Sequence, residues 1–144
     1  MRDEQYRKYF LELAEKKKLR PDGRGFEDFR EPIEIEYNVS KNAEGSARVK
    51  IGRSTVMAGV KVETGTPYPD KPDEGSMIVT AEFAALASPL FEPGAPGEAA
   101  IELARIVDRG IRESGSINTK KLCIKEGEKI WLVIIDLYIQ LSLI

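Results

Sequence analysis

The strongest fold signal in this chain lies between residues 19 and 63, in the segments LRPDGRGFEDFR (19–30) and GSARVKIGRSTVMAGVKVE (45–63). The first segment combines charged residues with closely spaced glycines. The second contains two runs of alternating apolar residues, and the three residues between them are few enough for a β-hairpin. Gly59, inside the second run, predicts close approach of another backbone or element.

Hydrophobic periodicity extends this pattern along the chain. The predicted elements are, in order, a helix over 3–18, strands over 32–39, 46–51, 55–63 and 76–85, a helix over 98–114, and strands over 122–124 and 130–138. The strand over 32–39 alternates so that one side faces solvent, and 81–87 also fits a helix. Proline and glycine predict loops over 64–75 and 89–97. The helix over 98–114 is the clearest element, because Ala100, Leu103, Ala104, Val107 and Ile111 form an apolar stripe and Gly115 suits a left-handed cap.

The composition describes one globular domain. The chain has 144 residues, of which 42% are hydrophobic and 32% charged, and a domain of this size buries one core. Its longest apolar run, 130–139, contains Asp136 and is shorter than the ~20 residues of a membrane span. The acidic N-terminus has no apolar signal core, so we expect a cytoplasmic protein. The single cysteine, Cys123, has no internal partner and is predicted to be a small core residue.

The charged residues limit the available chemistry. The chain contains no histidine, which excludes catalysis and zinc binding that depend on imidazole. From Glu63 to Glu98, seven acids face one lysine, whereas from Ile101 to Lys125 six bases outnumber three acids. This segregation of sign allows a polyanion to bind one patch of an acidic protein.

Three arginines share one sector of the predicted long helix. At helical spacing, Arg105, Arg109 and Arg112 lie within roughly 60° of one another, opposite the apolar stripe. Guanidiniums on one face suit the phosphates of a nucleic acid. The same pattern also fits a solvated face with the intrahelical pairs Glu102 to Arg105 and Asp108 to Arg112.

Two loops carry weaker signals. Asp22-Gly23-Arg24-Gly25 suits an anion-binding nest supplied with charge by nearby arginines. It equally suits a turn whose arginines pair with Glu27, Asp28 or Glu31. The carboxylates of 64–75 match no calcium loop, so no metal site is predicted.

Several of these segments resemble the RNase PH family. The likeness spans roughly 19–139 and rests on Arg20-Pro21-Asp22-Gly23-Arg24, on Gly45-Ser46-Ala47 and on Ala100-Ile101-Glu102-Leu103-Ala104-Arg105-Ile106-Val107-Asp108-Arg109. The last segment is similar to that of the non-catalytic RNase PH-like subunit of the archaeal exosome ring. The resemblance implies an α+β fold with a mixed, mostly antiparallel sheet packed with helices. It divides the chain into an N-terminal helix, 1–18, and the N-terminal half of an RNase PH-like domain, 19–144.

The resemblance also implies a function. Active members carry two arginines just before the Ile-Glu of the helix, where this chain has Glu98 and Ala99, so no catalytic residue is expected. In non-catalytic subunits two helix arginines hold single-stranded RNA for the catalytic subunit; by position these are Arg105 and Arg109, and Arg112 completes the set suggested by spacing. The implied partners are that catalytic RNase PH-like subunit and the RNA-binding cap subunits of the hexameric ring. No cofactor is implied, since inorganic phosphate is used by the catalytic partner for 3′-to-5′ degradation.

The chain departs from the family at its end. Beyond 131–139 the family continues into a second half, so the sequence is expected to be truncated or frame-shifted, with uncovered apolar surface that favours self-association. Two alternatives stay open. One is an active phosphorolytic exoribonuclease, which Glu98 and Ala99 disfavour, and the other is an assembly domain that makes no RNA contact.

Overall fold

The computed structural model describes residues 2–84 and 97–141. The chain divides into two compact units, Met1–Pro32 and Ile33–Ile144. The loop predicted over 89–97 lies outside the described residues except for Gly97, and so do residues 85–87 of the alternative helix predicted over 81–87.

The first unit is built on a short helix, α1 (Arg2–Glu12), which continues into a single π-helical turn, Leu13–Lys17. Lys18 adopts the left-handed conformation, with φ of 54°, and the Leu19 N–H donates to the Leu13 carbonyl at 3.2 Å. The helix predicted over 3–18 is therefore present, with a looser last turn. Among residues 4–32, whose side chains are described, only Leu13 is buried.

The second unit is a six-stranded mixed sheet with one long helix, α2 (Glu98–Ser114). The strands are β1 (Ile33–Tyr37), β2 (Gly45–Ile51), β3 (Ser54–Gly65), β4 (Ser76–Phe83), β5 (Cys123–Lys125) and β6 (Lys129–Leu141). Their order is β1-β2-β3-β6-β4, and β5 pairs with the start of β6. The β4–β6 pair is parallel, and the other pairs are antiparallel. The β2–β3 hairpin and both late strands were predicted, and residues 81–83, where the sequence also allowed helix, are part of strand β4.

The core lies between α2 and one face of the sheet. The register places Val60 opposite Ile135, which in turn pairs with Val79, so alternate apolar residues of three strands share this face. Ala104 and Ala100 of α2 are buried, and Leu103 and Ile111 pack against the buried strand residues. The predicted apolar stripe of the helix is the surface that builds the core. Cys123, predicted to be a core residue, is only partly buried.

Strand β1 differs from the prediction of one solvent-facing side, because both of its sides are exposed. Ile33, Ile35 and Tyr37 are 50%, 52% and 74% exposed, although they alternate regularly with glutamates. β1 lies at one edge of the sheet, whereas α2 packs against β4 at the opposite edge. The alternation of apolar residues therefore predicted the strand correctly, but the prediction that one of its sides is covered was wrong.

The close approach predicted at Gly59 occurs instead at Gly75. A Cβ at position 59 would meet only the Ala43 Cβ, at 3.8 Å, which is ordinary contact. A Cβ at position 75 would lie 2.3 Å from the Leu122 Cβ and 2.8 Å from the Trp131 carbonyl oxygen. The prediction for Gly59 was wrong because the neighbouring strands leave room for a methyl group there.

Candidate nucleic-acid interface

Helix α2 carries all three candidate arginines, and its ends follow from local sequence. Gly97 is extended and accepts backbone hydrogen bonds from Ala100 and Ile101, at 3.0 and 3.1 Å. Glu98 in the first turn is favourable at the positive end of the helix dipole. Gly115, with φ of 65°, ends the helix in the left-handed conformation. The helix therefore runs over the full range that its periodicity predicts.

Arg105 is the least constrained of the three. Its side chain is exposed and makes no hydrogen bond or ion pair with any residue in the described part of the chain. It lines a cleft of about 490 Å³ between α2 and β4. The cleft wall consists of residues 77–81 of β4 and, from α2, Ala100, Ile101, Ala104, Arg105 and Asp108. The pair that the sequence allowed between Glu102 and Arg105 does not form.

Arg109 lies one turn further along and forms an exposed ion pair. Its Nε donates to Glu113 Oε1 at 2.7 Å, and the two side chains are 78% and 66% exposed. Such a pair contributes at most about 1 kcal/mol in water. The Arg109 guanidinium is therefore available to a stronger anion at little cost.

Arg112, unlike the other two arginines, is hydrogen-bonded both within α2 and to strand β4. Its Nε donates to Asp108 Oδ2 at 2.7 Å, and its Nη2 donates to the Met77 carbonyl oxygen of β4, also at 2.7 Å. The pair with Asp108 is one of those that helical spacing predicted. The contact with Met77 has no signal in the sequence, because the acceptor is a main-chain atom 35 residues away.

The three arginines thus share a helix and a sector, but Arg112, whose side chain is 45% exposed, has two of its nitrogens engaged by other groups of the protein. Glu98 and Ala99, which occupy the positions before Ile101, are both exposed. A carboxylate at position 98 repels phosphate, so the positive character of this face begins at Arg105.

In the turn at 20–30, which belongs to the first unit, charged side chains bind to groups of the same turn. Arg24 donates from Nε and Nη2 to Asp22 Oδ2, at 2.9 and 2.7 Å, and from Nη1 to the Asp28 carbonyl at 2.6 Å. The hydrogen bond from Arg24 lowers the pKa of the Asp22 carboxyl below its usual range, and the positive charge of Arg30 acts in the same direction. The turn interpretation is favoured over the anion nest, and the carboxylate that pairs with Arg24 and Arg30 is Asp22. The predicted partner carboxylates were Glu27, Asp28 or Glu31.

Two further classes of site are absent from residues 2–84 and 97–141. No group of three or more Cys, Asp or Glu side chains is placed there to hold a metal ion. No helix in this part of the chain is long and apolar enough to cross a membrane.

A mixed sheet with a parallel β4–β6 pair, covered by one long helix that presents arginines, defines an α+β protein. Residues 29–140 match the sequence profile of the 3′ exoribonuclease family, domain 1, also called RNase PH. The chain belongs to this family. The predicted family and the predicted α+β fold are confirmed.

Two relatives illustrate which members of the family this chain is similar to. The chain is 57% identical over 131 residues to the exosome complex component Rrp42 of Methanosarcina mazei, which covers 91% of the chain and 48% of the relative. It is 58% identical over 119 residues to the protein of the same name from Archaeoglobus fulgidus, covering 83% of the chain and 46% of the relative. The chain spans about half the length of these relatives.

Solved structures agree with the sequence relatives. A structure described as the Archaeoglobus fulgidus exosome with RNA bound to the active site matches with a TM-score of 0.84 and 52% identity, over 96% of this chain and 54% of that chain. An archaeal exosome core matches with a TM-score of 0.75 and 47% identity, over 94% of this chain and 50% of the other. About half of the matched chain in each of these structures therefore shares the fold seen here.

Proposed function

We propose that this chain acts in an archaeal-type exosome as an RNase PH-like ring subunit that performs no chemistry and helps to hold single-stranded RNA. A catalytic RNase PH-like subunit beside it shortens the RNA from the 3′ end with inorganic phosphate. RNA-binding cap subunits complete the proposed assembly. The identity of 57% to an exosome component and the likeness to an exosome structure with RNA bound support this proposal.

The observation that carries the RNA-binding role is the state of two arginines on α2. Arg105 has an exposed guanidinium without a partner in the described residues, and Arg109 has only an exposed ion pair to exchange. They lie four residues apart, so one backbone phosphate of an extended strand, or two adjacent ones, fits against both. Contacts of this kind grip the backbone without reading bases.

We propose that this chain is not catalytic because of the residue types at the start of α2. Positions 98 and 99 hold Glu and Ala. Active members of the family have a similar helix but carry arginines at these two positions. Glu98 is exposed, and a carboxylate at this position disfavours a phosphate site at the start of α2. The chain alone is therefore expected not to shorten RNA with phosphate.

The test combines this chain with the catalytic RNase PH-like subunit and an end-labelled single-stranded RNA. We expect phosphate-dependent shortening by the mixture to exceed that by the catalytic subunit alone, and none by this chain alone. Replacing Arg105 and Arg109 with Met should weaken RNA binding about tenfold for each arginine replaced, since a hydrogen bond to a charged group contributes about 1.5 kcal/mol.

A matched control is Arg53→Met, which removes an exposed arginine in the turn between β2 and β3. This variant should bind RNA as the unchanged chain does. RNA binding that is unaffected by the Arg105 and Arg109 changes would instead support a purely structural assembly role. Phosphate-dependent shortening by this chain alone would make it an active exoribonuclease.

A further inference from the structure

We infer that Arg112 is a positioning residue for RNA binding and not a contact with RNA. Its guanidinium ties α2 to the outer edge of β4 and so sets where Arg105 and Arg109 point. This inference rests on the proposed function, because it concerns how the two other arginines are presented.

The acceptor on β4 is a backbone group that the sheet leaves unpaired. Ala84, just past the end of β4, donates its N–H to the Ile139 carbonyl of β6 at 2.9 Å. Successive residues of a strand turn their backbone groups to opposite edges, so Met77, seven residues earlier, turns its carbonyl away from β6. Arg112 Nη2 meets that oxygen at 2.7 Å.

The acceptor of this hydrogen bond belongs to a buried residue, which raises the cost of leaving it without a partner. Met77 is 4% exposed and belongs to the core cluster with Val133 and Ile135. A buried carbonyl without a partner is costly, so the native helix position is the one that lets Arg112 reach it. β4 is also an outer strand, and the guanidinium shields part of its open edge from another chain.

Asp108 fixes the orientation of the same guanidinium. It lies one helical turn before Arg112, is 30% exposed, and accepts from Arg112 Nε at 2.7 Å. Two different nitrogens of one planar group are thus engaged, one on the helix and one on the strand. The side chain stays 45% exposed and keeps free N–H donors, but the two contacts fix the plane of the guanidinium, which has to break them to turn toward a phosphate.

The position of Arg112 along the helix explains its effect on Arg105. Arg105 and Asp108 line the cleft of about 490 Å³, and Arg112 and Met77 line a second cleft of about 380 Å³ at the start of β4. In the first turns α2 meets the sheet through the small side chains of Ala100 and Ala104. Leu103 and Ile111 also pack on the sheet, but apolar contacts are non-directional, so the directional hydrogen bond two turns from Arg105 sets the axial position and rotation of the helix.

The test measures affinity for a fluorescently labelled single-stranded RNA at several salt concentrations, with this chain assembled with the catalytic subunit. Arg112→Met removes both donors and keeps an apolar stem. We expect it to weaken binding at least about threefold, the lower range for coupled neighbours, and to leave the slope of log affinity against log salt unchanged. Arg105→Met should instead reduce that slope by about 0.7, because one phosphate is no longer neutralised.

Two further measurements separate positioning from general destabilisation. Adding Arg112→Met to the double variant Arg105→Met with Arg109→Met should weaken binding no further, since the effect of Arg112 passes through those two arginines. Arg112→Lys keeps one donor and should recover part of the affinity. Ile130→Val, a change in the core outside the clusters that α2 contacts, should lower the melting temperature without changing RNA affinity.

Specific outcomes would overturn the inference. A reduced salt slope in Arg112→Met would make Arg112 an RNA contact, and unchanged affinity with a lower melting temperature would make it purely structural. If Arg112→Met does not fold, the same slope and double-variant comparison is read from Arg112→Lys. Failure of the proposed function gives a different result, because Arg105→Met would then leave RNA affinity unchanged.

Discussion

Among the glycines of the second unit whose surroundings the structure describes, Gly75 is expected to tolerate a side chain least. In Gly75→Ala the new methyl group would stand 2.3 Å from the Leu122 Cβ and 2.8 Å from the Trp131 carbonyl oxygen, where ordinary contacts are about 3.5 Å or longer. The start of β4 must therefore move by about 1 Å. That shift strains the hydrogen bond from the Gly75 N–H to the Thr119 carbonyl, 2.9 Å long.

The magnitude follows from three effects. Overpacking costs about 1–3 kcal/mol, and a weakened backbone hydrogen bond costs about 1 kcal/mol more. Alanine also restricts the unfolded chain more than glycine does, which offsets about 0.4–1 kcal/mol of this destabilisation. The net destabilisation of Gly75→Ala is about 2 kcal/mol, which lowers the melting temperature by roughly 8 °C for a domain of this size.

Thermal and chemical unfolding followed by circular dichroism measure this difference. Gly65→Ala is the matched control, because its Cβ would meet nothing within 4 Å. Gly59→Ala should behave like that control, since its Cβ would make only an ordinary contact with Ala43. Equal stability of Gly75→Ala and Gly65→Ala, within about 0.5 kcal/mol, would refute the packing argument.

Three other predictions concern charge and exposure. Glu113→Gln should tighten RNA binding about twofold by releasing Arg109 from an exposed ion pair, measured as an anisotropy titration; weaker binding would contradict this. Asp22 should titrate below its unfolded pKa of ~3.9, because Arg24 stabilises the carboxylate. The stability that it contributes is then complete above that pH and is lost as the pH falls through the lower folded-state pKa. Carbon NMR of the carboxyl measures the titration, and Asp22→Asn should remove this part of the acid sensitivity. Tyr37→Ser, at a site 74% exposed, should change the free energy of unfolding by less than about 0.5 kcal/mol, whereas Ile139→Ala, at a site 4% exposed, should cost about 2–5 kcal/mol in denaturant titrations; a large loss at Tyr37 would contradict the exposed position of β1.

Features that depend on neighbours in sequence were predicted well. The bounds of α2 follow from Gly97, from the apolar stripe and from Gly115, all within one segment. The β2–β3 hairpin follows from alternation on both sides of Gly52. Each of these signals is local, so chain order carries the information without knowledge of the packing.

Features that depend on distant residues were predicted poorly. Alternation in β1 predicted one covered side, but coverage depends on which elements pack there, and Ile33 and Ile35 remain about half exposed. Gly59 was singled out and Gly75 was not, because the space around a glycine is set by residues such as Leu122, far along the chain.

The amino-acid sequence was sufficient to identify the elements, the apolar faces, the family and the helix that carries Arg105, Arg109 and Arg112. Only the tertiary structure distinguished the three arginines. Arg105 has no partner in the described residues, Arg109 has an exposed one, and Arg112 is held at the Met77 carbonyl. Helical periodicity places side chains in a sector, but the acceptor for Arg112 is a main-chain oxygen at a sheet edge. Every residue type has that oxygen, so only the packing of α2 against β4 shows which arginine it engages.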